Sequence, residues 1–214
     1  MRKVATTTFI LLVFALIGTG LVALTHHLTA GRIADQRLKS RLRILNSILP
    51  SSLYDNLLEK DTIKVKSPRY LGTHEEVEVY RARLKGKPMA AVFAVIAPDG
   101  YNGNIKLLVA IHYSGKLAGV RVVEHQETPG LGDVIEMRKS NWTQRSFPGK
   151  SLNNPAPDKW KVRKDGGVFD QFTGATITPR AVVKAVHLAL QYFQANRTML
   201  FAPSTSDPNN SRIE

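Results

Sequence analysis

The sequence predicts an α+β domain, an antiparallel sheet with flanking helices, carried behind one N-terminal transmembrane helix. Three observations predict it. A long uncharged apolar run follows a basic start; four β-rich runs lie between residues 77 and 123, separated by short turns; and a segment with helical periodicity lies near the C-terminus.

After Met1-Arg2-Lys3 no charged residue occurs from Val4 to Thr25, and Phe, Ile, Leu, Val and Ala dominate. At about 1.5 Å per residue the run reaches roughly 33 Å, enough to cross the hydrocarbon core. A signal peptide shares the basic start, but its apolar region is about 7–15 residues long and ends in small residues. Here the run is longer, and Leu28-Thr29-Ala30 has leucine where a small residue is needed, so residues 1–30 read as a retained anchor. From Arg32 to Leu49, Ile33, Leu38, Leu42, Leu45 and Leu49 stand amid basic positions, an amphipathic stalk helix within 31–50 that Pro50 ends. A folded domain then occupies 51–201. The tail, 202–214, is rich in Ser, Asn and Pro and is expected to be disordered.

Within the domain the strand-like runs are Val77 to Leu84, Met89 to Ala97, Ile105 to Tyr113 and Leu117 to Val123. Lys85-Gly86-Lys87, Pro98 to Gly103 and Ser114-Gly115-Lys116 are the turns between them. One helix is expected after Gly132, capped by Asp133. Another is expected from about Pro179 to Gln194, with Thr178 as N-cap and Pro179 at the first helical position. Along it Val182, Val183, Val186, Leu190 and Phe193 make one apolar face.

Composition narrows the chemistry. The chain has 214 residues and no cysteine, so it offers no disulfide, no thiolate zinc site and no cysteine-ligated iron–sulfur cluster. Lys and Arg number 30 against 17 Asp and Glu, a net charge of +13. The basic residues are scattered and come without a nucleic-acid-binding motif, so nucleic acid is not an expected partner. Contact with anionic lipid and with acidic partner surfaces accounts for the charge better.

The most informative stretch is Asp170-Gln171-Phe172-Thr173-Gly174-Ala175-Thr176, which runs directly into Ile177-Thr178-Pro179-Arg180. It places a small, hydroxyl-bearing turn just ahead of a helix N-terminus, where free N–H groups and the macrodipole favour an anion such as phosphate. Gly174 removes a side chain that would block close approach. An ordinary turn feeding a capped helix would look the same locally. A second loop, Glu127-Thr128-Pro129-Gly130-Leu131-Gly132-Asp133, joins a strand to a helix with two glycines around a leucine, so its backbone can approach a planar ligand.

The D-x-x-[ST]-G-A-T pattern at Asp170 to Thr176 resembles the flavin-attachment site of the FMN-binding subunits of membrane redox pumps, those of the Rnf (or Rsx) complex and of the sodium-pumping NADH:quinone oxidoreductase. The anchor, sheet, E-T-P-G-L-G segment, attachment motif and final helix follow one another in family order. The compact length is more similar to the G subunit of Rnf than to the longer C subunit of the quinone oxidoreductase. The resemblance implies that residues 51–201 are an FMN-binding domain and that Thr176 carries FMN covalently as a phosphoester. A separate, metal-dependent flavin transferase would load it from FAD, releasing AMP. Thr173, Gly174 and Ala175 belong to the attachment turn; Thr173 stands where the family more often has serine. Asp170 would bind the transferase's metal, polarise the threonine or cap a turn. Glu127, Thr128, Gly130, Leu131 and Gly132 are implied to lie beside the flavin, with Tyr101 near the ring. Neither a catalytic acid or base nor a metal ligand is expected in the chain itself.

The implied role is electron relay within an ion-translocating complex in the bacterial inner membrane, with its other subunits as partners and the soluble domain in the periplasm. Flanking charge alone would keep that domain inside, since Arg32, Arg37, Lys39, Arg41 and Arg43 follow the span, yet large domains translocate largely regardless of charge. Lys161, Arg163 and Lys164 are candidates to stabilise the reduced ring. A reading of another class is an anchored assembly protein without cofactor, its glycine loops serving only the fold.

Overall fold

The computed structural model describes residues 2–202, and side-chain surroundings at 6, 8–29 and 43–202. Anchor and stalk form one helix, α1 (Arg2–Ile48). Its segment Thr8–Thr29 is apolar and long enough to span a membrane, and Phe9, Leu11, Phe14 and Leu16 are all exposed. Hydroxyls in this stretch bond back into the helix: Thr25 donates to the Leu21 carbonyl at 2.7 Å and Thr29 to that of Thr25 at 2.6 Å, which lowers the cost of their polarity in lipid. The expected apolar positions Ile33, Leu38 and Leu42 lie outside the residues whose side chains are described, and the tail from 203 lies outside the described residues altogether.

The chain divides after Ile44 into two compact units. The second, from Leu45, is built on a five-stranded antiparallel meander in the order β1 (Thr62–Val65), β2 (Val77–Leu84), β3 (Lys87–Gly100), β4 (Gly103–His112), β5 (Leu117–Glu124). The β2–β3 hairpin turns on Lys85 and Gly86, both at positive φ, as a two-residue turn matching the strand twist requires. The loop expected from Pro98 to Gly103 is shorter than its composition suggests. Strand β3 continues through a register shift to Gly100, which pairs with Gly103, leaving Tyr101 and Asn102 at the turn. The short β1 and the single turn α2 (Pro68–Leu71) carry no period long enough to recognise in the sequence.

Period-two alternation sorts the sheet's two faces. Ala91, Phe93, Val95 and Ala97 of β3, with Ile105, Leu107, Val109 and Ile111 of β4, join the main core, which helix α4 (Ile177–Leu200) completes through Val182, Val186, Ala189 and Phe193. Phe93 meets Tyr192 and Phe193 edge-on at 6.1 and 6.2 Å between ring centroids. The intervening residues Ala90, Val92 and Ala110 are also buried, as are Leu45, Ile48 and Leu49 at the end of α1. Gly119 of β5 admits that end: a Cβ there would lie 3.0 Å from the Ile48 carbonyl oxygen. Ser47 accepts a hydrogen bond from Arg121 at 2.9 Å.

The far end of α4 is fastened by an ion cluster. Asp61 pairs with both Arg81 and Arg83, and the two guanidiniums donate to the carbonyls of Ala202 (2.9 Å) and Phe201 (3.3 Å). Arg81 is 3% exposed. Two expectations about helices need correction. Gly132–Ile135 is a single 3-10 turn, not a helix capped by Asp133; the Asp133 carboxylate instead accepts from the Gly130 N–H at 2.8 Å. Helix α4 starts at Ile177 and reaches Leu200, with Thr176, not Thr178, at the N-cap.

Candidate functional site

The attachment motif and the E-T-P-G-L-G loop face each other across a cavity of about 260 Å³ at the N-terminus of α4. One wall is Gly174 and Ala175, the second half of the turn Phe172-Thr173-Gly174-Ala175, which a bond from the Ala175 N–H to the Phe172 carbonyl closes at 3.1 Å. Gly174 sits at φ +77° in its third position, which a type II turn reserves for residues free of Cβ strain. The turn delivers Thr176 to the N-cap with its hydroxyl making no capping bond to α4. Thr176 borders the cavity at the end of a helix whose first N–H groups lack intrahelical acceptors.

The opposite wall is held by Glu127, which is 4% exposed. Its carboxylate accepts from the Asn102 N–H at 3.1 Å and from the Thr178 hydroxyl through a short hydrogen bond. Space for it is cleared by two glycines. A Cβ on Gly100 would lie 2.9 Å from one carboxylate oxygen, and one on Gly132 would lie 2.7 Å from the other. The loop's backbone N–H groups at Leu131 and Gly132 turn back to the Thr128 carbonyl at 3.1 Å each. This throws Leu131 outward, 44% exposed, to where a Cβ on Gly174 would touch it at 3.2 Å.

His125 fixes the loop's entry. Its Nδ1 accepts from the Glu127 N–H at 3.1 Å, so the ring's proton is on Nε2, which donates to Glu136 at 3.0 Å. Behind the attachment turn, Arg163-Lys164-Asp165 is a 3-10 turn closed by Gly166 at φ +82°. Asp165 holds Arg180, in the first turn of α4, by two bonds of 2.7 and 2.9 Å. The Arg180 guanidinium donating to it keeps the Asp165 carboxyl below its usual range. Gly167 is needed because a Cβ there would lie 1.8 Å from the Lys161 carbonyl oxygen.

Of the residues singled out from sequence, Glu127, Thr128, Leu131, Gly132, Gly174, Ala175 and Thr176 line the cavity together with Tyr101. Gly130, Thr173 and Asp170 do not. Asp170 points away, paired with Arg163 at 2.9 Å, both side chains largely exposed, while its carbonyl accepts from the Trp142 indole at 3.0 Å. Lys161, Arg163 and Lys164 are likewise off the cavity. Ile177 and Thr178 line it without having been singled out as pocket residues. Thr178 was hidden because a hydroxyl directly before a proline and a helical run reads as a cap, and only the fold brings Glu127 to it.

The set suits a phosphate-linked planar ligand. A helix N-terminus favours an anion such as phosphate, and Tyr101, Leu131 and Ile177, all exposed, offer apolar surface beside it. At about 260 Å³ the cavity lies just under the roughly 300–1,000 Å³ of sites that enclose small ligands.

Comparison with known proteins gives the family. Residues 100–191 match the FMN-binding domain family, and residues 1–48 match the RnfG N-terminal region. The G subunit of the ion-translocating oxidoreductase complex of Pseudomonas aeruginosa (strain UCBPP-PA14) is 50% identical over 202 residues, 94% of either chain. Its counterparts in Vibrio atlanticus (49%, 90% of this chain and 91% of the relative) and Vibrio cholerae O395 (51%, 89% and 90%) are similar over nearly the same span. The chain belongs to the G-subunit family of ion-translocating oxidoreductase complexes.

Proposed function

We propose that this member of the G-subunit family relays electrons through FMN bound covalently to Thr176, within the membrane complex formed with its other subunits. The observation that carries the reading is the position of Thr176: its hydroxyl stands at a helix N-cap, uncommitted to capping, on the rim of a cavity whose lip is apolar. Phosphoryl transfer needs such a hydroxyl, placed in line with the attacked phosphorus. In the loading step the Thr176 oxygen bonds to the FMN phosphorus of FAD, the pyrophosphate bond breaks, AMP leaves and the hydroxyl proton passes to the transferase or solvent. Thr173 and Gly174 are exposed and small, so the transferase can close over the turn. Asp170, exposed beside that turn and outside the cavity, serves the transferase in this reading and not the bound cofactor. Thr173, Ala175 and Gly130 shape the two loops, while Thr128, Leu131 and Gly132 flank the cofactor.

FMN supplies chemistry the chain lacks, taking electrons singly or in pairs, and the protein contributes position and electrostatics. The phosphoester keeps the cofactor on a domain that we assign to the periplasm, where none is made. Within the complex, ion movement falls to other subunits, because the one candidate span among the described residues, Thr8–Thr29, carries no acidic side chain.

The test is in-gel ultraviolet fluorescence of the full-length chain co-expressed with a flavin transferase, alongside Thr176→Ala. A fluorescent wild-type band that vanishes in the variant is expected. A dark wild-type band beside a lit control flavoprotein would refute attachment and favour the cofactor-free assembly protein.

A further inference from the structure

The cavity at Thr176 is lined by one carboxylate and no basic side chain. That carboxylate, Glu127, is almost wholly buried, and none of the ion pairs among the described residues includes it. The nearby cations are engaged elsewhere: Arg163 with Asp170, Arg180 with Asp165, Lys184 with Asp99 and, around the neighbouring surface cavity that Glu127 also lines, Lys139 with Asp133 and Arg138 with Glu136. Its compensation consists of two hydrogen bonds, from the Asn102 N–H and the Thr178 hydroxyl, and the partial positive charge at the start of α4. Burying a charge without an ionic partner is costly. The fold nevertheless clears room for this one at both Gly100 and Gly132. A glutamine could meet the same two partners, with its carbonyl accepting from Asn102 and its amide donating to Thr178. The hydrogen bonds alone therefore do not require a charge.

We infer that Glu127 sets the midpoint potential of FMN in this site downward, making the reduced cofactor a stronger donor to the next carrier. The inference rests on FMN being bound at Thr176, as proposed above. Two-electron reduction of FMN takes up one or two protons from solvent, and the form that takes up one gains a negative charge. A carboxylate lining the same cavity opposes that charge, and its burial leaves it less screened than a surface carboxylate would be. Lys161, Arg163 and Lys164, considered from sequence as stabilisers of the reduced ring, lie off the cavity. The one charged side chain lining the cavity is an acid.

The experiment is an anaerobic dithionite titration with reference dyes on the full-length protein in detergent, after in-gel fluorescence has established flavin loading in each sample. Glu127→Gln should raise the midpoint by at least a tenfold change in the reduction equilibrium, about 30 mV for a two-electron couple. Glu124→Gln removes an equal charge from an exposed ion pair with Lys106, outside the cavity, and should leave the midpoint in place. A loaded Glu127→Gln protein with an unmoved or lower midpoint overturns the inference, as does an equal rise in Glu124→Gln. If Glu127→Gln fails to fold or load, Leu131→Glu adds a carboxylate at the exposed lip: a lower midpoint supports the field effect and an unchanged or higher one overturns it. A dark wild-type band is a separate outcome, the failure of the FMN reading itself, and removes the inference with it.

Discussion

The two ends of α4 are held in opposite ways. At the C-terminal end, Asp61 gathers Arg81 and Arg83, and the guanidiniums turn their remaining donors to the carbonyls after Leu200, which the helix itself cannot satisfy. The N-terminal end carries no such plug. The Thr176 hydroxyl makes no cap bond, Pro179 contributes no N–H, and the first turn is tied through side chains, Thr178 to Glu127 and Arg180 to Asp165. One end is closed by the protein's own charges; the other is left with donors to offer, which is the polarity an anion site needs. The scaffold and the site are thus two treatments of the same problem of unsatisfied helix termini.

If that division holds, damage to the closed end should cost stability without touching attachment. Removing Asp61 leaves two guanidiniums facing each other, one of them 3% exposed. Breaking a buried pair costs about 3–5 kcal/mol, and because Asp61 retains 19% exposure the low end, about 3 kcal/mol, is expected for Asp61→Ala. Chemical denaturation of the protein measures it. Flavin fluorescence per folded molecule should equal wild type; a loss of labelling in proportion to the loss of stability would erase the contrast between the ends.

The open end should respond in the reverse sense. In Gly132→Ala the new Cβ would sit 2.7 Å from the Glu127 carboxylate and 2.9 Å from both the Glu127 Cβ and the Thr178 hydroxyl oxygen, so in this buried spot the Glu127 side chain must shift. Overpacking of this kind costs about 1–3 kcal/mol. It also pushes Glu127 off Thr178, so flavin labelling by the transferase should fall by more than the stability change explains. Thermal melts and labelling time courses on the same preparations separate the two. A variant that labels at the wild-type rate would show that the Glu127 wall does not position the attachment end.

Legibility in the sequence differs between the same two ends. The attachment end is local: Asp170 to Thr176 lies within one stretch, and its glycine and hydroxyls state their geometry through turn and cap chemistry. Helix α4 and four of the five strands were likewise legible from period, because each is long enough to show one. The closed end was not. Asp61, Arg81 and Phe201 are scattered along the chain, and a strand of alternating Val, Arg and Ala does not announce that its arginine is buried. Glu127 shows the same limit at the site itself. The loop containing it stood out, yet its hydrogen bond to Thr178 spans 51 residues and appears only when the sheet is formed. The helix expected after Gly132 failed for a related reason: Gly130 and Asp133 satisfy each other, which occupies the carboxylate that would have capped it.

The smallest expected effect tests whether the open end is steered by charge at all. Arg180 and Asp165 join the first turn of α4 to the 3-10 turn behind the attachment loop through two bonds, and both side chains keep substantial exposure. Their hydrogen bond holds the Asp165 carboxyl below its ordinary value near 3.8. A depressed carboxylate pKa contributes stability that is fully present above the unfolded value and is lost as pH falls through the folded one. The difference in melting temperature between wild type and Arg180→Gln should therefore be constant from pH 7 to about 5 and close only below about 4. Because the pair faces water, high salt should shrink that difference at neutral pH as well. Labelling of Arg180→Gln should stay near wild type, since the turn at Gly174 and the Glu127 wall are both intact. A large labelling defect, with a melting difference that ignores pH and salt, would mean instead that Arg180 meets the incoming flavin or its transferase directly. The open end would then be organised by ligand contacts as well as by the fold.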